Sequence, residues 1–206
     1  KGSLKRARER IKQEGFDERF TGVYGNFTNI ENLAEENGFE QVDGVLFDLG
    51  YSSTQILDSE IGLSFDKDQP LDMRIDKSLG VTAADLINAL PESKLEELFS
   101  KYGGERLAKK YAEAIVKVRS LKQLKSTKDL VDVIVDVAPP NYENGRLHPA
   151  TRVFQALRIV VNNELENLET TLPKAAHLLL PASKSEVQEN PRSRSAKLRI
   201  FEKKND

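Results

Sequence analysis

The chain has 206 residues, 38% of them hydrophobic and 31% charged, with a net charge of -2 and a mean hydropathy of -0.51. That length predicts one α/β domain with an insertion, or two small domains, with apolar residues enough for a core. Zero cysteines exclude disulfides, Cys-zinc sites and iron–sulfur clusters, and two histidines, His148 and His177, argue against a His-rich metal centre, so no metal is expected. No apolar run approaches the roughly 18 residues that cross a bilayer, and no secretory leader is visible, so a cytoplasmic protein without a membrane partner is expected.

In chain order, residues 1–14 are helical in composition, with Leu4, Ala7, Arg8 and Ile11 at helical spacing, and Gly15 stops the pattern. A short strand is predicted over Phe20–Tyr24. Gly25-Asn26-Phe27-Thr28 reads as a turn in which Asn26 or Thr28 caps a helix from about Ile30 to Asn37, ended by Gly38. Val45, Leu46 and Phe47 then form a brief apolar run between Gly44 and Gly50, the signature of a strand buried on both faces as in parallel sheets. Helix and strand alternate, and the small polar residues after Asp48 would lie at the strand's carboxyl end, where open α/β sheets bind ligands.

Periodicity lapses from Ser52 to Asp76. This stretch is either a functional loop or a surface excursion packed by Phe65 and Leu71. From Thr82 the pattern is helical for about sixty residues. Ser126 and Asp129 form a capping-box variant, and Pro139-Pro140 ends the last of these helices. Pro139-Pro140-Asn141-Tyr142 is similar to a proline-rich motif of amino-group methyltransferases, but it follows a helix and reads as a helix stop. One long amphipathic helix is predicted over Ala150–Leu172, then a strand-like run over Ala175–Leu180 ending at Pro181, and a last alternating strand over Lys197–Phe201. Between Pro191 and Asp206, six basic residues stand against two acidic ones, an excess that suits phosphate or a solvated tail.

Several groups could carry chemistry. Asp48, with Gly50 beside it, could accept hydrogen bonds from a ligand amine or ribose, and Gln55 could add an amide. His148, Arg152 and Arg158 stand at or near the entry of the long helix and could face phosphate, or simply be exposed basic residues.

Taken together, five stretches are more specific than any alone. D-G-V-L-F-D-L-G-Y-S-S-T-Q-I-L-D (43–58), G-L-S-F-D-K-D-Q-P-L-D-M-R-I-D (62–76) and Y-G-G-E-R-L-A-K-K (102–110) are followed by H-P-A-T-R-V-F-Q-A-L-R-I-V-V-N-N-E-L (148–165) and N-P-R-S-R-S-A-K-L-R-I (190–200). In this order they resemble the RsmH/MraW family of S-adenosylmethionine-dependent methyltransferases, which act on the N4 amine of a cytosine in small-subunit ribosomal RNA.

The resemblance implies an α/β, class I Rossmann-like methyltransferase domain with an inserted helical subdomain. Its first, cofactor-side part would occupy residues 1–76, the substrate-recognising insert 77–145, and the second part 146–206. The family's glycine-rich cofactor loop and second-strand acid would precede Lys1, and its G-G-R-L segment would follow Pro181, so a gap is expected between Pro181 and Ala182. By position, Phe27, Asp48 and Gln55 match cofactor-binding residues. Asp48, Ser52 and Ser53 are expected to line the pocket, with no general base assignable. Arg74, His148, Arg152, Arg192 and Arg194 are expected to grip RNA, with the small ribosomal subunit or its RNA as partner and a homodimer left open. The alternatives are a methyltransferase of another substrate and a non-catalytic RNA-binding module.

Overall fold

The computed structural model describes residues 2–48 and 60–179, which divide between two compact units, one holding residues 1–48 and 166–206 and the other 49–165. In the first unit, α1 spans Gly2–Gln13 and ends at Gly15, whose φ of +76° takes the left-handed conformation open to glycine at little cost. The Asn26 side chain accepts from the Thr28 amide at 3.0 Å, so it caps a short 3₁₀ turn, Phe27–Asn29, that leads into α2, Ile30–Glu36. Gly38, at φ +79°, closes α2 as expected.

The predicted strands of this unit need correction. Residues 20–24 are irregular, and the stretch around Val45–Phe47 forms no strand and is not buried on both faces. Leu46 is 93% exposed, whereas Val45 and Phe47 are half-buried. That alternation marks one covered face, the period-two pattern of an extended chain. Among the described residues its β contact is a single parallel bridge between Val42 and Leu179, with the Val42 amide donating to Leu178 O at 2.8 Å. No longer strand occurs among the described residues, so the described part of the chain is helical, without a sheet.

The second unit carries most of the described core. It contains α3 (Ala83–Ala89), α4 (Glu92–Gly103), α5 (Ala108–Arg119), α6 (Thr127–Val137) and α7 (Thr151–Val161). Helix α4 packs along both α5 and α7, and Ile87, Leu95, Phe99, Tyr111, Ile115, Leu130, Ile134, Val153 and Leu157 meet in one apolar cluster. Gly103 is where α4 crosses α7 most closely. A Cβ there would strike the Arg152 carbonyl, so glycine sets the helix separation.

The helix starts are well built. Ser126 accepts from the Asp129 amide at 3.2 Å while Asp129 accepts from the Ser126 amide at 3.1 Å, which completes the predicted capping box of α6. Thr82 and Asp85 repeat the device at α3. The segment 60–76 is packed on these starts. The Leu71 amide donates to Lys125 O, Thr127 donates its amide to Gln69 O, and the Asp72 and Leu71 carbonyls accept from the first amides of α3. Leu71 and Met73 are fully buried, Phe65 half-buried.

The predicted long helix is in fact two. Helix α7 ends at Val161, Asn163 adopts φ +50°, and α8 runs from Glu164 to Leu178. Asparagine tolerates the left-handed conformation that ends helices, and here Asn162 closes the last turn with its amide on Arg158 O at 3.2 Å while its side chain reaches beyond the helix. Its Nδ2 donates to Met73 O at 2.8 Å and its Oδ1 accepts from the Ile75 amide at 3.0 Å. The strand expected over Ala175–Leu180 is also corrected: α8 continues through Pro173 to Leu178, with Ala175 and Leu178 buried. Proline removes one ladder donor from the helix without ending it, because the flanking turns hold the axis.

Candidate functional site

Phe27 and Asp48 both lie in the first unit. Asn26 fixes the 3₁₀ turn, and that turn presents Phe27 to Phe47, ring centroids 6.2 Å apart at an interplanar angle of 68°. This edge-to-face contact is a favoured aromatic geometry. Both rings are half-buried, and the next residue, Asp48, is exposed and in no ion pair among the described residues. An aromatic corner beside an open carboxylate offers an apolar surface and a hydrogen-bond acceptor together. In the same unit Lys174 Nζ donates to Thr28 O at 2.6 Å, tying α8 to the turn that carries Phe27. Ser52, Ser53 and Gln55 lie outside the described residues, as do Arg192, Arg194, the Pro181–Ala182 join and the predicted strand at 197–201.

The second unit holds the remaining predicted basic groups. Arg74 is bound within its own segment, donating from Nε to Asp72 Oδ1 at 2.7 Å, from NH2 to Asp72 Oδ2 at 3.0 Å and from NH1 to Leu79 O at 2.7 Å. That paired hydrogen bonding from Arg74 holds the Asp72 carboxyl below its ordinary value of 3.8. Arg152 donates to Glu143 at 2.7 Å, and about three quarters of each side chain is shielded from solvent. His148 is exposed and lies flat on Phe65, centroids 4.8 Å apart and planes 30° from parallel; Phe65 in turn meets Phe154 edge-on at 5.0 Å.

Sequence reasoning missed a buried polar cluster beside Arg152. Glu105, 3% exposed, accepts from the Tyr142 hydroxyl at 2.6 Å and from the Leu107 amide at 2.8 Å. Burial, then the bond to Glu105, pushes the Tyr142 hydroxyl far above its ordinary pKa. Next to it the chain turns through Glu143, Asn144 and Gly145, all at positive φ. Pro139-Pro140 does act as a helix stop, and Tyr142 begins the turn that follows. The signal that could have found the cluster is the acid of Y-G-G-E-R, placed on the inward side of a sharp left-handed helix end at Gly104.

Comparison with known proteins defines the class: residues 1–184 match the profile of the MraW methylase family. The chain is 36% identical to the ribosomal RNA small subunit methyltransferase H of Sulfurihydrogenibium sp. (strain YO3AOP1), over 96% of this chain and 80% of that protein. It is 42% identical to the like-named protein of Nostoc punctiforme over 91% of this chain and 72% of that one, and 39% identical to that of Geobacter sp. (strain M21) over 96% and 80%. The chain belongs to the MraW methylase family. The Sulfurihydrogenibium alignment runs over 237 residues against a chain of 206, so that relative carries residues with no counterpart here. Among the described residues no helix is long and apolar enough to cross a membrane.

Proposed function

We propose that this protein is a methyltransferase of small-subunit ribosomal RNA, moving a methyl group from S-adenosylmethionine to the N4 amine of a cytosine. The observation that most supports this reading is the family match over residues 1–184, which takes in both Asp48 and the helical unit. The names of the relatives supply the substrate class.

The residues of the first unit suit the cofactor. Its adenosine portion combines an aromatic base with ribose hydroxyls, and the Phe27–Phe47 corner beside the Asp48 carboxylate matches that pair of needs. When bound, the cofactor supplies an electrophilic methyl group on a sulfonium. Asp48 would accept hydrogen bonds from it, Phe27 would cover an apolar face, and Gln55 would add an amide contact. Ser52 and Ser53 are proposed to line the acceptor side. The exocyclic amine of cytosine is a weak nucleophile because its lone pair is delocalised into the ring. The chain's chief contribution is therefore alignment: holding the amine in line and accepting its N–H groups as it pyramidalises. A Rossmann-like sheet around this site, with an RNA-recognising insert over 77–145, completes the reading.

The helical unit offers phosphate contacts. On α5 the buried face is Ala108, Tyr111, Ala112 and Ile115, so Lys110 and Lys117 fall on the opposite side, with Lys109 at its margin. All three are exposed and in no ion pair among the described residues, whereas Lys122 and Lys128 are neutralised by Asp129 and Asp132. Arg74, His148, Arg152, Arg192 and Arg194 are proposed as further RNA contacts. The cytosine must be unpaired or extruded to be reached. The same reading puts the protein in the cytoplasm with its ribosomal substrate, and sedimentation tests the homodimer.

The direct test of the site is calorimetric binding of S-adenosylmethionine to wild type and Asp48→Ala. Loss of affinity in the variant is expected; equal affinity would remove Asp48 from the cofactor site.

A further inference from the structure

We propose that the open face of His148 is a stacking platform for one unpaired nucleobase of the RNA. This rests on the RNA-methylating reading above and specifies how the substrate is held.

The imidazole lies 4.8 Å from the Phe65 ring at 30°, so one of its two faces is covered. His148 is nevertheless an exposed residue, and among the described residues Phe65 is its one aromatic partner, on one face. One edge is already used: the Ala150 amide donates to His148 Nδ1 at 3.2 Å, at the entry of α7. With Nδ1 accepting, the neutral ring carries its proton on Nε2. The ring is thus fixed from two directions. Below it Phe65 is itself braced edge-on by Phe154, which is 4% exposed and belongs to the core. Exposed aromatic rings are usually mobile; this one is a flat surface already held in place at the margin of the helical unit. Two residues before it, Arg146 is exposed and in no ion pair among the described residues, available to the phosphate of a nucleotide whose base lies on the ring.

Such a surface suits a base better than a phosphate. Single-stranded nucleic acids are held by stacking on aromatic faces, a contact that tolerates any base because every base has a π-face. A phosphate contact would use a protonated edge and would add to the salt dependence of binding. A stack would not.

Two substitutions separate the ring from the helix-entry bond. His148→Phe keeps an aromatic face and loses the acceptor at Nδ1. His148→Asn keeps a short acceptor and loses the ring. The full chain is titrated by fluorescence anisotropy against single-stranded oligocytidylate and against an abasic oligoribonucleotide of equal length, with thermal melts as the folding control. Stacking predicts that wild type and His148→Phe both prefer the oligocytidylate. His148→Asn should lose about 5- to 150-fold of that affinity, with no change in the salt slope and no change toward the abasic strand. The proposal is overturned if His148→Asn binds as wild type does, if His148→Phe loses as much as His148→Asn, or if wild type binds both strands alike. Methylation of purified small ribosomal subunits by wild type, run alongside, separates the two failures. Active wild type with an unaffected His148→Asn rejects the platform alone, and inactive wild type rejects the RNA-methylating reading.

Discussion

The Tyr142 hydroxyl lies 2.6 Å from Oε2 of Glu105, with the tyrosine 7% and the glutamate 3% exposed. The bond joins the loop after α6 to the start of α5, and Glu143, the residue after Tyr142, holds Arg152. Removing the Tyr142 hydroxyl leaves a buried carboxylate short of a donor. Tyr142→Phe should destabilise the protein by about 1–3 kcal/mol, read from urea unfolding.

The neighbouring Tyr111 should behave in the opposite sense. Its hydroxyl is fully buried with no hydrogen-bond partner among the described residues, and burial raises its pKa far above the ordinary value. Tyr111→Phe removes an unsatisfied polar atom and keeps the ring. The midpoint of unfolding should stay the same or rise.

Asn162 joins the end of α7 to the buried Met73, which sits at φ +61°. A non-glycine residue in that region is strained and persists where its surroundings fix it. Asn162→Ala leaves Met73 O and the Ile75 amide without this side chain. A loss of about 1–3 kcal/mol is expected, together with faster amide exchange at Ile75.

Asp72 gives a pH signature. Its carboxyl is held below 3.8 by Arg74, so the unfolded chain takes up a proton there before the folded one does. The contribution is complete above 3.8 and disappears as pH falls through the lowered folded value. Asp72→Asn should flatten the fall in stability below pH 3.8, measured as the unfolding midpoint against pH.

Much of the helical unit was legible in the sequence. Apolar spacing located α3 to α6, Ser126 and Asp129 announced a real capping box, and Pro139-Pro140 marked a real stop. Local rules suffice where a residue's partners lie within a turn of it. They failed where the deciding partner is distant. The predicted long helix breaks at Asn162-Asn163, where the Asn162 side chain bonds residues 73 and 75. The helix expected to end near Leu172 has its second half, α8, running on through Pro173 to Leu178. Leu46 seemed buried by composition, while its exposure depends on which neighbours flank it. Of the candidate site, Phe27 and Asp48 are proposed from motif resemblance. The Phe65–His148 stack was not legible, because the two rings stand 83 positions apart in the chain and meet only in the folded unit.

The central claim is tested most directly by incubating the protein with methyl-labelled S-adenosylmethionine and purified small ribosomal subunits, then digesting the RNA to nucleosides. Label is expected in N4-methylcytidine, at a level that Asp48→Ala strongly reduces. Label in another nucleoside, or none in RNA while the cofactor binds, would contradict it.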